Sequence, residues 1–134
     1  MSKFLYFQDG HISGNNPINR KGDFFSDWLI KFDELLSIAK ENKVEGILDG
    51  GDILHSPNPS YKILDEIADR VEKVGIPIYS LFGNHASLYH SVEHSQYTGL
   101  AHLQKRSKLF QYFKAIEYKD YRIIGIEYSH NIEE

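Results

Sequence analysis

Residues 44–59 read Val44-Glu45-Gly46-Ile47-Leu48-Asp49-Gly50-Gly51-Asp52-Ile53-Leu54-His55-Ser56-Pro57-Asn58-Pro59. Val44 to Leu48 is short and apolar and predicts a buried strand. Asp49 to Pro59 holds two adjacent glycines and two prolines and predicts a turn directly after it. The glycines let the backbone bend sharply and approach a ligand closely. A buried strand that opens at once into glycines and the Asp52 carboxylate marks this strand end as a place where chemistry is expected.

The flanks set the fold class. On the N-terminal side, Lys3 to Asp9 is short, apolar and aromatic and predicts another buried strand. Gly10 to Gly22 is a loop, rich in Gly, Asn, Ser and Pro. From Phe24 to Ala39 the residues Phe24, Phe25, Trp28, Leu29, Phe32, Leu35 and Leu36 recur at helical spacing, with Asp23 as N-cap. This stripe predicts a helix face packed on the sheet rather than a platform for stacking bases. On the C-terminal side, Ser60 is placed to cap a second helix with the stripe Ile63, Leu64, Ile67, Ala68, Val71 and Val74. Gly75 suits its end, and Pro77 prevents continuation. Ile76 to Phe82 predicts a third strand. Leu88 to Arg106 reads as helical with a break near Gly99. Phe110 to Tyr118 and Tyr121 to Tyr128 read as a hairpin turning at Lys119-Asp120. The order strand, helix, strand, helix, strand predicts an α/β fold with a parallel sheet and right-handed crossovers.

Ligands in such sheets bind outside the carboxyl ends of the strands. All three strand ends are polar here. The first ends in Asp9-Gly10-His11, and residues two apart in extended backbone point to one side, so Asp9 and His11 are expected to converge on one cation. The second supplies Asp52 and then His55. The third runs into Gly83-Asn84-His85. This mixed oxygen and nitrogen set suits manganese, iron or zinc better than calcium or copper. Asp49, close to Asp52, is expected to act as a hydrogen-bond acceptor or turn residue rather than a ligand. His90 and His94 have a helical ligand spacing, while His102 and His130 are isolated. All four are expected to be ordinary histidines, with His130, after a predicted strand, the first substitute to consider.

These triplets resemble the motifs of the calcineurin-like metallophosphoesterases. That family carries Asp-x-His, then Gly-Asp-x-x-Asp, then Gly-Asn-His followed by an acid, and later further histidines ending in Gly-His-x-His. The corresponding stretches here are Asp9-Gly10-His11, Gly51-Asp52-Ile53-Leu54-His55 and Gly83-Asn84-His85-Ala86. His55 in place of the second Asp, followed by Ser56-Pro57-Asn58-Pro59-Ser60, resembles the SbcD-type DNA-repair nuclease branch, as does Gly125-Ile126-Glu127-Tyr128. The resemblance implies the βαβαβ start of a metallophosphoesterase sandwich, with residues 1–134 as one domain, incomplete at its C-terminus. It implies that Asp9 and His11 hold one metal, that Asp52 bridges two, and that Asn84 holds the second. His85 would protonate the leaving oxygen, and His55 would lie near the phosphate. Two divalent ions are implied for the complete enzyme, manganese first, with iron or zinc as alternatives. At most one is expected in this chain. DNA is the implied substrate, with a homodimer and an SMC-like coiled-coil ATPase as implied partners.

Two departures stand out. Ala86 replaces the acid that would orient His85. No Gly-His-x-His follows before Glu134, so weak or absent catalysis is expected from these residues alone. The alternatives are a phosphoesterase acting on nucleotides or phosphoproteins, and a non-catalytic dimerisation or binding module using the faces of Ser60 to Val74 and Leu88 to Leu103.

Composition narrows the class further. A chain of 134 residues that is 41% hydrophobic, with net charge -4, is one folded domain and not a disordered tail. That charge does not suggest bulk electrostatic binding of nucleic acid. Lys105, Arg106 and Lys108 form a small basic cluster, expected to be a solvated helix end. The absence of Cys excludes disulfides and thiolate metal sites. No apolar run approaches a membrane span, and no signal-peptide pattern opens the chain, so a cytoplasmic protein is expected.

Overall fold

The computed structural model describes residues 2–81 and 98–126. Strand β1 (Phe4–Phe7), helix α1 (Phe24–Glu41), β2 (Gly46–Asp49), α2 (Tyr61–Val74) and β3 (Ile78–Ser80) follow in alternation. Helix α3 (Gly99–Arg106), β4 (Phe110–Tyr112), β5 (Ala115–Tyr118) and β6 (Tyr121–Ile124) complete the described part. The first four strands form one parallel sheet in the order β1-β2-β3-β4. Right-handed crossovers of a sheet in sequential order carry all their helices to one face. The register builds that face in rows. Leu5, Ile47, Ile78 and Phe110 are cross-strand neighbours, and the last three are fully buried. Phe32 and Leu36 of α1, Ile67 and Val71 of α2 and Leu100 and Leu103 of α3 close over them in one core cluster. Each such side chain contributes about 1.5–3 kcal/mol by leaving water.

Local chemistry sets the helix ends. Asp23 caps α1, accepting the Ser26 N–H at 3.3 Å and the Ser26 hydroxyl at 2.9 Å. Gly75 ends α2 in the left-handed conformation, φ 72°, with its N–H on the Val71 carbonyl. Ser60 sits at the α2 N-cap as expected, but its side chain makes no cap hydrogen bond. Among the described residues no helix is long and apolar enough to cross a membrane.

Two expectations are corrected. Phe110 to Tyr118 is not one hairpin strand: β4 joins the parallel sheet beside β3, and only β5 pairs antiparallel with β6. The chain breaks at Phe113, whose N–H bonds the Ser80 carbonyl at 3.2 Å. The expected break near Gly99 agrees with the start of α3 there, where the Thr98 side chain caps the helix, accepting the Ala101 N–H at 3.4 Å; residues 88–97 lie outside the described residues. Phe24 is not part of the core cluster and lines a cleft instead. The β5–β6 hairpin leans on the sheet face away from the helices. Tyr118 packs edge-on to Phe4 at 5.4 Å, and Lys119 pairs with Glu45 at 3.3 Å.

Candidate metal centre

The segments after β1 and β2 do not diverge as free loops. The Gly50 N–H bonds the Phe7 carbonyl, Asp9 N–H bonds Gly51, His11 N–H bonds Asp52 and Ile12 N–H bonds Ile53, at 2.8–3.0 Å. His55 N–H returns to the Ile12 carbonyl at 3.2 Å, and Ile12 pairs with Leu54 as an isolated parallel bridge. Ile12, Ile53 and Leu54 are fully buried. Three apolar side chains inside two polar segments thus pull both into the core, and the backbone bonds zip them together.

Between these anchors the chain takes unusual conformations. Asp9, His11 and Asp52 have φ of 55°, 47° and 60°, and Gly51 has 116°. Asp and His are among the few residue types enriched in the left-handed region. The expectation that Asp9 and His11 converge is met, but not through extended backbone: both are left-handed, with Gly10 between them. One ligand atom from each of Asp9, His11 and Asp52 lies within 4.8 Å of the other two. His11 Nε2 is 3.6 Å from Asp9 Oδ1, too long for a hydrogen bond. Metal–ligand bonds of about 2.1 Å separate ligand atoms by roughly 3–4 Å, so two carboxylates and an imidazole at this spacing fit a divalent cation. Among the described residues no other such group of His, Cys, Asp or Glu forms. Asp52 is buried and forms the floor, whereas Asp9 is exposed at the rim.

Asp49 lies beneath the centre, 1% exposed. Its carboxylate accepts the Gly51 N–H at 3.0 Å and a hydrogen bond from the Ser80 hydroxyl, its cross-strand partner in the register. Burial pushes its pKa up to about 6, helped by the charges of Asp52 and Asp9 and opposed by the bonds from Ser80 and Gly51. It is thus an acceptor that orients Gly51, as expected, and not one of the converging ligands.

His55 stands beside the cluster, its ring 5.6 Å from that of His11 and nearly edge-on. The two imidazoles border a cleft of about 610 Å³ whose other walls are Ser13, Asn15, Asn16, Pro17 and Phe24. Asn16 pins the cleft wall: its side-chain amide donates to the Gly22 carbonyl at 2.7 Å and accepts the Phe24 N–H at 2.9 Å. Arg20 stacks over the Phe24 ring at 5.2 Å and pairs with Asp27 at 2.7 Å.

Asn84 and His85 lie outside the described residues, as do Ala86, His90, His94 and His130. His102 is exposed on α3, remote in sequence from the converging strand ends. Arg106 is engaged by α2, paired with Asp65 and stacked on Tyr61. Lys105 and Arg106 form the last turn of α3, and Lys108 follows it. Sequence reasoning missed Ser80, Asn16 and Trp28, whose indole N–H donates to the Gly10 carbonyl at 2.7 Å. Only Ile12, Ile53 and Leu54 carried a signal, as apolar residues within polar runs.

A parallel α/β sheet with a carboxylate–imidazole cluster on adjacent strand ends has the layout of an α/β domain with a candidate metal site at its strand ends. A sequence model of the calcineurin-like phosphoesterases matches residues 22–131, and the chain belongs to that family. The resemblance to its DNA-repair branch is borne out in part of the chain. The double-strand break repair protein MRE11 of Mus musculus is 42% identical over 71 residues, covering 53% of this chain and 10% of that protein. The corresponding protein of Caenorhabditis elegans is 35% identical over 87 residues, covering 64% and 11%. The chain therefore spans about a tenth of the length of these curated relatives. A dimetal phosphatase structure from Danio rerio aligns with a TM-score of 0.48 at 17% identity, covering 61% of this chain and 29% of that one.

Proposed function

We propose that residues 1–134 belong to one metallophosphoesterase domain that hydrolyses phosphodiesters, with DNA as substrate. The observation that carries this reading is the convergence of Asp9, His11 and Asp52 on adjacent strand ends in a chain of this family. Asp9, His11 and Asp52 would hold one divalent cation, manganese first, with iron or zinc as alternatives. Asp52 has a second oxygen for a further cation, which Asn84 would share. What bound cations supply is positive charge against the phosphoryl oxygens and acidification of water. The residues supply the rest. His55, on the shared wall of the cleft, would contact the phosphate, and His85 would donate the proton to the leaving oxygen. Asp49 keeps the Gly51-Asp52 turn in place through the Gly51 N–H. DNA is favoured over nucleotides or phosphoproteins by the partial identity to double-strand break repair proteins. A second copy of the chain and an SMC-like coiled-coil ATPase are the proposed partners on the same ground.

Manganese calorimetry on this chain and on Asp52→Asn tests the site. The expected result is about one ion for the parent and none for the variant. Binding that Asp52→Asn leaves intact would remove the centre from the reading. Substrate class is tested on the full-length protein, where manganese-dependent cleavage of linear DNA is expected. Hydrolysis confined to phosphate monoesters would overturn the DNA assignment.

A further inference from the structure

We propose that Trp28 is a positioning residue for the metal centre: its indole N–H holds the Asp9-Gly10-His11 turn in the form that brings both side chains onto Asp52. This rests on the reading of Asp9, His11 and Asp52 as metal ligands. The Gly10 carbonyl and the His11 N–H belong to one peptide group. In a planar trans peptide these two atoms point in opposite directions. Here both ends are held. The His11 N–H is bonded to the Asp52 carbonyl at 2.8 Å, and the Gly10 carbonyl accepts the Trp28 indole N–H at 2.7 Å. One clamp belongs to the segment after β2 and the other to helix α1, so the peptide cannot rotate without breaking one of them.

The clamp matters because the turn is uphill. His11 at φ 47° and Asp9 at φ 55° occupy a region that persists only where the surroundings over-determine it. Rotation of the Gly10–His11 peptide would change φ of His11 and swing its imidazole away from Asp9 and Asp52. The indole is half-buried against the core and is not fully enclosed. One side meets Phe32 at 5.0 Å between ring centroids, but the ring also borders a recess of about 120 Å³ shared with Phe7, Lys31 and Leu35. Gly10 itself lies between the indole and the Ile53 backbone, where an added Cβ would be 3.5 Å from Trp28 Cζ2 and 3.4 Å from Ile53 Cα. The aromatic stripe of α1 thus contributes a hydrogen-bond donor to the site as well as apolar surface to the fold.

Trp28 is the single tryptophan of the chain, so its indole N–H gives one resonance of its own and the residue can be replaced globally by an analogue. The test uses the 134-residue chain and zinc, which leaves the resonance sharp. Three forms are compared with the parent: Trp28 replaced by benzothienylalanine, a ring of the same shape whose sulfur cannot donate; Trp28→Phe; and Leu29→Ala, which trims a neighbour packed on the core. The indole resonance of the parent is expected to shift with the calorimetric midpoint for zinc. Both Trp28 replacements are expected to bind zinc about ten- to a hundredfold more weakly. Leu29→Ala is expected to lower the thermal midpoint and leave the affinity unchanged. If Trp28→Phe does not fold, the benzothienylalanine form decides. Parent-like affinity in the benzothienylalanine form, an indole resonance unmoved by zinc, or a Leu29→Ala affinity loss as large as that of the Trp28 forms would each overturn the inference. A parent that binds no zinc or manganese would overturn the metal-site reading and this inference with it. Equal affinities overturn the inference alone.

Discussion

Asp49 carries a carboxylate under the candidate metal centre, shielded from water and close to Asp52 and Asp9. Its folded pKa of about 6 lies above the ordinary value of 3.8. The folded chain therefore binds the proton more tightly than the unfolded chain. The favourable contribution is complete below the unfolded pKa and is lost as pH rises from about 4 to about 6. A shift of about two pH units corresponds to roughly 3 kcal/mol. In metal-free protein, Asp49→Asn keeps an acceptor for the Gly51 N–H and removes the buried charge. It is expected to be the more stable form at pH 8, by up to about 3 kcal/mol, with the gap closing toward pH 4. Urea unfolding in the presence of chelator measures this directly. Parallel stability curves for the two forms would show that burial does not hold the Asp49 proton.

At the scale of the element, two helices with similar N-cap residues are held differently. The Asp23 side chain takes both the N–H and the hydroxyl of Ser26, and those bonds draw its carboxyl below the usual range. Ser60 occupies the same position on α2 without a side-chain cap bond. Asp23→Ala is therefore expected to lower the thermal midpoint by a few degrees at pH 7, whereas Ser60→Ala moves it little. The Asp23 contribution is present above the unfolded carboxyl pKa and fades as pH falls through the lowered folded value. Equal losses from the two substitutions in thermal scans would contradict this. The same contrast bears on the site. Asp23 starts α1 at the edge of the cleft, and Asn16 ties the Phe24 N–H to the loop that forms the wall.

For the whole molecule, the candidate metal centre joins the segments after two neighbouring strands to the first helix. Asp9 and His11 follow β1, Asp52 follows β2, and Trp28 reaches in from α1. Without a cation, Asp9, Asp49 and Asp52 place negative charge close together. Binding to the folded form alone stabilises by about 2.7 kcal/mol at a metal concentration one hundred times Kd. Manganese is accordingly expected to raise the thermal midpoint of the parent, chelator to reverse the rise, and Asp52→Asn to respond to neither. A rise of the same size in Asp52→Asn would place the stabilising ion elsewhere on the surface.

Hydrophobic periodicity and turn residues made the parallel α/β order legible, because strand and helix repeats and glycine ends are local properties of the chain. The triplet Asp9-Gly10-His11 and the pair Gly51-Asp52 were legible as candidate site residues for the same reason. They directly follow apolar strands, and strand ends in a parallel sheet lie side by side. What tertiary structure decided was everything that depends on register and long-range contact. Phe110 to Tyr112 became a sheet strand because β3 offered a free edge. Ser80 met Asp49 because the two are cross-strand partners. Ile12 and Leu54 closed two apparent loops into a bridge. The left-handed turns of Asp9, His11 and Asp52 hold against their intrinsic preference because bonds from both strand-end segments and from Trp28 surround them. Local sequence names the groups that meet at the site, while backbone conformations that cost energy are set only by the contacts that offset that cost.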